Sequence, residues 1–306
     1  MAEARAGFCV ELLGAKEMPP KVEKIPESLK VSPLARLAPF FGKPRDVTDQ
    51  PVPARRVCLH ITGRATWNHA VKYKQHPLAR IEDYFDEAGN PFAHYTIDPW
   101  GTIIQSAYET ERPWAQGWGA YGGQAGLRKK LRSGSLKIPG WYAKYGGIAS
   151  PLGLMAKPGD GVVDTPNDGA IAIENVQYGN QFLLTEAQYM AGHMLVLDII
   201  GRHQMVPQIV GYSGAQLISL VRRNLQLFGH EEADPWGRGN QAGGWDPGAL
   251  RKAPRFCWSC FISLNFGGCP HGAQTVNGRS MCRAVLPTPP KPDWLKKIED
   301  KAFQQG

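Results

Sequence analysis

Three apolar stretches along the chain each end just before a residue that can bind a metal or carry a proton. Residues 57–59 precede His60, residues 170–173 precede Glu174, and Leu225, Leu227 and Phe228 precede His230. The first two stretches are short and predict buried strands, and in the second of them Ile alternates with Ala. Sheets fix the backbone at strand ends while loops aim the side chains, so these ends are candidate positions for a functional site.

Helical periodicity marks three other segments. A helix is predicted over residues 67–85, and a second begins after Thr185, whose hydroxyl suits an N-cap. A third is predicted over residues 213–228. The residues expected on the buried faces of the last two helices are Ala187, Met190, Met194 and Leu197, then Leu217, Leu220, Val221, Leu225 and Phe228. The methionines are interpreted as core filler.

A hairpin turn is predicted at Gly101 and Thr102, after Asp98, Pro99 and Trp100. Strands therefore alternate with helices along the middle of the chain. This order favours an α/β fold with a mixed central β-sheet flanked by helices.

Composition divides the chain into three parts. Residues 1–54 are rich in proline and lysine, which resists long helices and predicts an extended arm that wraps the core or docks to a partner. Residues 55–250 hold the strand and helix signals and form the expected catalytic domain. Within them, residues 117–162 are rich in glycine, basic and aromatic residues. This insertion is either part of a substrate groove or a solvated loop packed by its own aromatic side chains.

The charge and the ends of the chain limit the classes of function. The formal net charge is +8, which suits an anionic cell wall. No helix-turn-helix, RRM or zinc-finger pattern supports nucleic acid as the partner. No apolar run is long enough for a transmembrane helix, and the first residues lack a secretory signal. We therefore expect synthesis in the cytoplasm, and a target outside it, such as a cell wall, would require delivery by a lysis lesion, a secretion machine or a phage particle.

His60 and His230 are joined by Asp246, which lies in the segment Trp245-Asp246-Pro247-Gly248. The chain has no HExxH helix, so the ligands of any zinc site must come from separate elements. Three neutral or anionic ligands leave one zinc position open for water, and Glu174 can take the proton of that water. This set of residue types predicts metal-assisted hydrolysis.

Six segments in one order carry a resemblance to a known family. They are VCLHITG at 57–63, PFAHYTIDPWGTIIQ at 91–105, AIAIEN at 170–175, TEAQ at 185–188, FGHEE at 228–232 and WDPG at 245–248. Over roughly residues 55–250 the chain resembles the zinc-dependent N-acetylmuramoyl-L-alanine amidases, the type-2 amidases that include peptidoglycan-recognition proteins and some phage lysozymes.

The resemblance implies roles for four residues. His60, His230 and Asp246 would be the ligands of a catalytic Zn²⁺, and Glu174 the catalytic carboxylate. The implied substrate is peptidoglycan, cleaved at the amide between N-acetylmuramic acid and L-alanine by an endolysin-like activity.

The chain also departs from the family pattern. Gly244 stands where members often have a lysine, and Ala115 where a histidine often follows the tryptophan. The cation that stabilises the oxyanion is therefore expected from another position, and Arg238 and Arg251 are the candidates.

The C-terminal part, residues 251–306, carries a second chemical feature. Cys257, Cys260, Cys269 and Cys282 fall within a short stretch that begins with a CxxC pair. Four thiolates would close a structural zinc site, the second in the chain, whereas two disulfides would suit an oxidising destination. The spacing leaves both alternatives open. Cys58 is not taken as a ligand, because we expect it to point away from His60.

Two further classes of function remain beside the hydrolase. A peptidoglycan-binding module with weak catalysis is motivated by the missing lysine and by Ala115. A virion structural component is motivated by the N-terminal arm and the cysteine-rich tail, either of which can contact an assembly partner. The retained set of His60, His230, Asp246 and Glu174 favours the hydrolase.

Overall fold

The computed structural model describes residues 31–38, 48–49, 54–62, 64–81, 93–113, 123–137, 169–179, 183–207, 210–234, 236, 256–269 and 272–304. Its strands are β1 (Arg36–Leu37), β2 (Thr48–Asp49), β3 (Arg56–Ile61), β4 (Tyr95–Ile97), β5 (Ile103–Gln105), β6 (Glu111–Arg112), β7 (Ala170–Asn175), β8 (Leu184–Thr185), β9 (Leu227–Gly229), β10 (Ala273–Val276), β11 (Arg279–Cys282) and β12 (Val285–Leu286). Its helices are α1 (Arg64–Tyr73), α2 (Gly123–Arg132), α3 (Glu186–Arg202), α4 (Gly214–Arg223), α5 (His230–Ala233), α6 (Trp258–Ser263) and α7 (Asp293–Gln304).

Six strands form a mixed central sheet in the order β1-β5-β4-β7-β3-β9. Only the β4–β5 pair within it is antiparallel, and these two strands are joined by the predicted hairpin turn, where Gly101 adopts a φ of +85°. Helices flank this sheet, so the predicted α/β class with a mixed sheet is confirmed.

The two faces of the sheet pack in different clusters. In β7, Ile171 and Ile173 enter the main core, while Ala172 lies in a smaller cluster on the opposite face. In β3, Leu59 belongs to the main core and Cys58 packs elsewhere. Because strand side chains alternate, His60 and Glu174 lie on the face opposite the main core.

Helix α3 packs its apolar side on the main core. The predicted N-cap is confirmed, since the Thr185 hydroxyl accepts a hydrogen bond from the backbone N–H of Gln188, and the Gln188 side-chain oxygen accepts one from the backbone N–H of Thr185. The predicted buried face is wrong, because Met190 and Met194 are 53% and 52% exposed. The helix is apolar on more than one side, and the side with its larger branched and aromatic residues is the one that packs on the sheet. Its buried apolar residues are Tyr189, Leu195, Val196, Ile199 and Ile200.

Helix α4 is shorter than its periodicity predicts. It begins after Ser213, which caps it, and ends at Arg223. Leu225 takes a left-handed φ of +60°, and the chain then continues as strand β9, not as the predicted helix. Pairing with β3 and complete burial of Leu227 and Phe228 offset the cost of that backbone turn.

The predicted helix over 67–85 is not continuous in the structure. Helix α1 ends at Tyr73, where Lys74 adopts a φ of +49°, and residues 77–81 form a separate helical turn. Among the residues described, no helix is both long and apolar enough to cross a membrane.

The parts before and after the sheet domain contact it. Strand β1 pairs with β5 at the edge of the sheet, and β2 pairs with β6. From the C-terminal part, β12 pairs with β8, and the apolar residues of α6 enter the main core. The cysteine-rich part is thus packed on the sheet domain and shares its core.

Candidate functional site

Three neighbouring parallel strands bring the first candidate residues to one edge of the sheet. Strands β7, β3 and β9 lie side by side. His60 and Glu174 are register partners near the ends of β3 and β7, and His230 directly follows β9 as the first residue of α5. The carboxyl ends of parallel strands share one edge, so the topology itself assembles the three residues.

The side chains meet at short distances. The ring centroids of His60 and His230 are 4.5 Å apart with their planes at 63°, and both residues are buried. Nδ1 of His60 lies 3.9 Å from Oε1 of Glu174. The Glu174 side chain is 18% exposed, whereas both histidines are buried.

Backbone contacts hold the end of β3. The side-chain amide of Asn175 donates to the carbonyl of His60 at 2.9 Å, and the N–H of Thr62 donates to the carbonyl of Asn175. The residue after Glu174 therefore fixes the backbone on which His60 sits. This contact has no signal in the sequence, since the two residues are remote along the chain.

The remaining predicted site residues lie outside the described residues. These residues are Asp246, the expected third ligand, and Arg238 and Arg251, the candidate cations; Gly244 and Ala115 also lie outside the described part of the chain. Their roles stay predictions.

His94 is placed in a structural position. Its Nδ1 accepts from the N–H of Ala172 at 2.9 Å, so its Nε2 carries the hydrogen that is donated to the carbonyl of Glu111 at 3.0 Å. Burial lowers the pKa of His94 to about 4, because the charged imidazolium would lose its hydration there. The ring therefore bridges two strands as a neutral group.

Cys58 lies on the same face of β3 as His60, which corrects the expectation that the two point apart. Residues two positions apart in a strand share a face. Cys58 is fully buried against Leu127, Phe228 and Ala233.

The insertion contributes helix α2, which packs beside the site. Leu127 is its buried anchor, while Arg128, Lys129 and Lys130 are half-buried to exposed. The aromatic residues of the insertion lie outside the described residues. Whether the insertion forms part of a substrate groove or a solvated loop therefore stays open.

A second group of candidate ligands converges in the C-terminal part. The Sγ atoms of Cys257, Cys260, Cys269 and Cys282 all lie within 4.8 Å of one another. Three of the four residues are buried, and all four are free thiols. Burial raises the pKa of the Cys282 thiol to about 12, because a thiolate would lose its hydration there.

A buried ion pair lies between the histidine site and the four cysteines. The sequence did not reveal this ion pair. Arg222 of α4 donates to both carboxylate oxygens of Glu232, at 2.6 and 2.5 Å. Glu232 also accepts from the N–H of Gly229 at 2.9 Å, which caps the helix that begins with His230. The guanidinium carbon of Arg222 lies 3.7 Å from the ring centre of Trp258, the neighbour of Cys257. Arg222 and Glu232 lie on different elements and their spacing follows no helix or strand period, so periodicity and motif spacing do not detect this ion pair.

Comparison with known proteins identifies a family whose model matches this chain. A family model described as N-acetylmuramoyl-L-alanine amidase matches residues 50–249, more than half of the chain. No curated protein matches the chain. A crystal structure of a Se-Met AmpD derivative aligns with 17% identity and a TM-score of 0.39, over 76% of this chain and 96% of that one. The structure of PGRP-Hd from Alvinella pompejana aligns with 12% identity and a TM-score of 0.32, over 59% and 88%.

Proposed function

We propose that this chain, which belongs to the N-acetylmuramoyl-L-alanine amidase family, hydrolyses the amide between N-acetylmuramic acid and L-alanine in peptidoglycan with the help of a bound zinc ion. The observation that carries the proposal is the meeting of two buried imidazoles, 4.5 Å apart between ring centroids, with a partly exposed carboxylate.

The residues present fit a zinc ion. Neutral imidazole nitrogens are preferred zinc ligands, and His60 and His230 offer two of them within one buried space. Asp246 is proposed as the third ligand, which would leave one position open. When bound, zinc makes a water molecule acidic near neutral pH and polarises the carbonyl of an amide.

Glu174 is proposed as the general base and acid. Its carboxylate oxygen would accept the proton of the attacking water and then deliver it to the nitrogen of the departing L-alanine. Its position supports this role, because it lies beside His60 and retains some exposure. Asn175 and the pairing of β7 with β3 would hold the carboxylate and the imidazole in register.

A binding module alone has no need of this arrangement. Recognition of a muramyl peptide requires neither a pair of buried imidazoles nor a carboxylate beside them. Zinc-assisted hydrolysis uses both, so the local chemistry favours the enzyme over a binding or purely structural protein on the same fold.

Release of soluble fragments from dye-labelled peptidoglycan tests the proposal. We expect activity from the wild type, and a loss of about 10²- to 10⁴-fold in Glu174→Gln, since only the proton transfer is removed. Treatment with a chelator should abolish release, and added zinc should restore it. Glu186→Gln is the matched control, because Glu186 pairs with Arg279 on another part of the surface; it should retain activity.

Equal release from the wild type, Glu174→Gln and the chelated protein would contradict the amidase proposal. Binding of the labelled polymer without any release, in all samples, would instead support the binding module.

A further inference from the structure

The four cysteines of the C-terminal part have the geometry of a metal site. A tetrahedral zinc ion with bonds of about 2.3 Å to sulfur places its ligands about 3.8 Å from one another. Here every pair of Sγ atoms lies within 4.8 Å, and Cys257 and Cys269 are 3.4 Å apart. A disulfide would bring two sulfurs to about 2.05 Å, and it gives no reason for all four to share one centre.

Backbone groups already point at two of the sulfurs. The N–H of Cys260 donates to Sγ of Cys257, and the N–H of Ala284 donates to Sγ of Cys282, both at 3.4 Å. Hydrogen bonds of this kind stabilise a thiolate and orient it as a ligand. The sulfurs of Cys257 and Cys282 are thus oriented as acceptors.

Cys257, Cys260 and Cys282 are buried in the main core, and Cys269 is partly buried against it. Phe256, Phe261 and Phe266 pack with Tyr189 of α3, and Trp258 packs with Phe256. The Tyr189 hydroxyl accepts from the N–H of Cys257 at 2.8 Å. Gly192 lets the Phe261 ring approach α3 so closely that an added Cβ would lie 3.1 Å from it. An ion at the cysteines would therefore join the C-terminal part to the core of the sheet domain.

We propose that Cys257, Cys260, Cys269 and Cys282 bind one structural zinc ion, and that this ion fixes Trp258 against Arg222 so that the Arg222–Glu232 pair holds the helix carrying His230. The contacts of Trp258, Arg222 and Glu232 form one continuous chain between the two groups. The zinc-binding step is independent of the proposed amidase activity, whereas the positioning step rests on His230 being a ligand there.

Cobalt substitution tests the zinc-binding step on the full chain. Cobalt bound by thiolates gives an intense charge-transfer band in the near ultraviolet, and cobalt bound by histidine and aspartate does not. We expect this band in the wild type and in His230→Ala, and a weaker band in Cys269→Ser and in Cys282→Ser, because each variant removes one of the four thiolates. Cys58→Ala is the matched control, since Cys58 packs in a different cluster; it should keep the band.

Two results would overturn this step. One is a cobalt-loaded wild type without the band. The other is an intact mass, measured without reductant, that is lower by the hydrogens lost in two disulfides. Neither depends on whether the protein cleaves peptidoglycan.

Variants of Trp258 test the positioning step. We expect Trp258→Leu to weaken zinc binding at the histidine site by about tenfold, while the cobalt–thiolate band stays unchanged. Trp258→Phe keeps an aromatic face for Arg222 and should retain most of the affinity. Unchanged zinc affinity at the histidine site in Trp258→Leu would overturn the positioning step and leave the zinc-binding step standing.

Discussion

At the scale of single residues, burial decides which titratable groups serve chemistry and which serve stability. Glu174 keeps 18% of its side chain exposed beside His60, whereas Glu109 is fully enclosed with Arg202 and His203. Burial alone would raise the pKa of Glu109, but hydrogen bonds from Arg202 and His203 outweigh it and hold the pKa at about 2. The sequence marked Glu174 because it follows an alternating apolar run. Glu109 has no comparable pattern, and its partners lie far away in the chain.

The same residue-scale electrostatics predicts loss of stability in acid. The pKa of His94 is 6.5 in the unfolded chain and about 4 in the folded chain. The free energy of unfolding therefore falls as the pH drops through that interval, by on the order of 3 kcal/mol. The stabilising effect of ionised Glu109 is present above its ordinary pKa near 4.5 and is lost between there and about 2.

Urea unfolding of the wild type and of His94→Gln, each at pH 7 and pH 4, isolates the effect of His94. Glutamine can accept from Ala172 and donate to Glu111 without titrating. We therefore expect the free energy of unfolding of the variant to change less between the two pH values than that of the wild type. An identical pH dependence of the two proteins would contradict the assignment of this effect to His94.

At the scale of elements, local patterns located strands β3 and β7, the turn between β4 and β5 and the helices α1, α3 and α4, but not all of their faces and ends. The N-cap at Thr185 and the turn at Gly101 follow from local chemistry and were predictable. The exposure of Met190 and the change from helix to strand after Arg223 were not. Both depend on which surface of the sheet packs against the element, and that is set by residues remote in sequence.

Removing the two helix caps should have different effects. Thr185 also donates to the carbonyl of Pro99 at 2.6 Å in a buried position, whereas the cap at Ser213 is exposed. We expect Thr185→Ala to lower the free energy of unfolding by about 2 kcal/mol and Ser213→Ala by about 0.5 kcal/mol. Chemical denaturation measures both, and equal losses would show that the Pro99 contact adds nothing.

At the scale of the whole molecule, the sheet and the C-terminal part form one core, and the two candidate metal groups are connected through it. Trp258 and Phe261 belong to the same apolar core as Ile173 and Ile199. The clustering of four cysteines in sequence suggested a common site, but their meeting near α3 and the Arg222 link to the helix of His230 required the folded structure.

The most direct measurement of the central claim is anomalous diffraction at the zinc edge from crystals of the full chain grown with zinc. We expect a peak between the rings of His60 and His230, with Asp246 as a third ligand and the Glu174 carboxylate beside the open position. An anomalous peak for fully occupied zinc at another site, with no peak between these two histidines, would contradict the account of this protein as a zinc amidase.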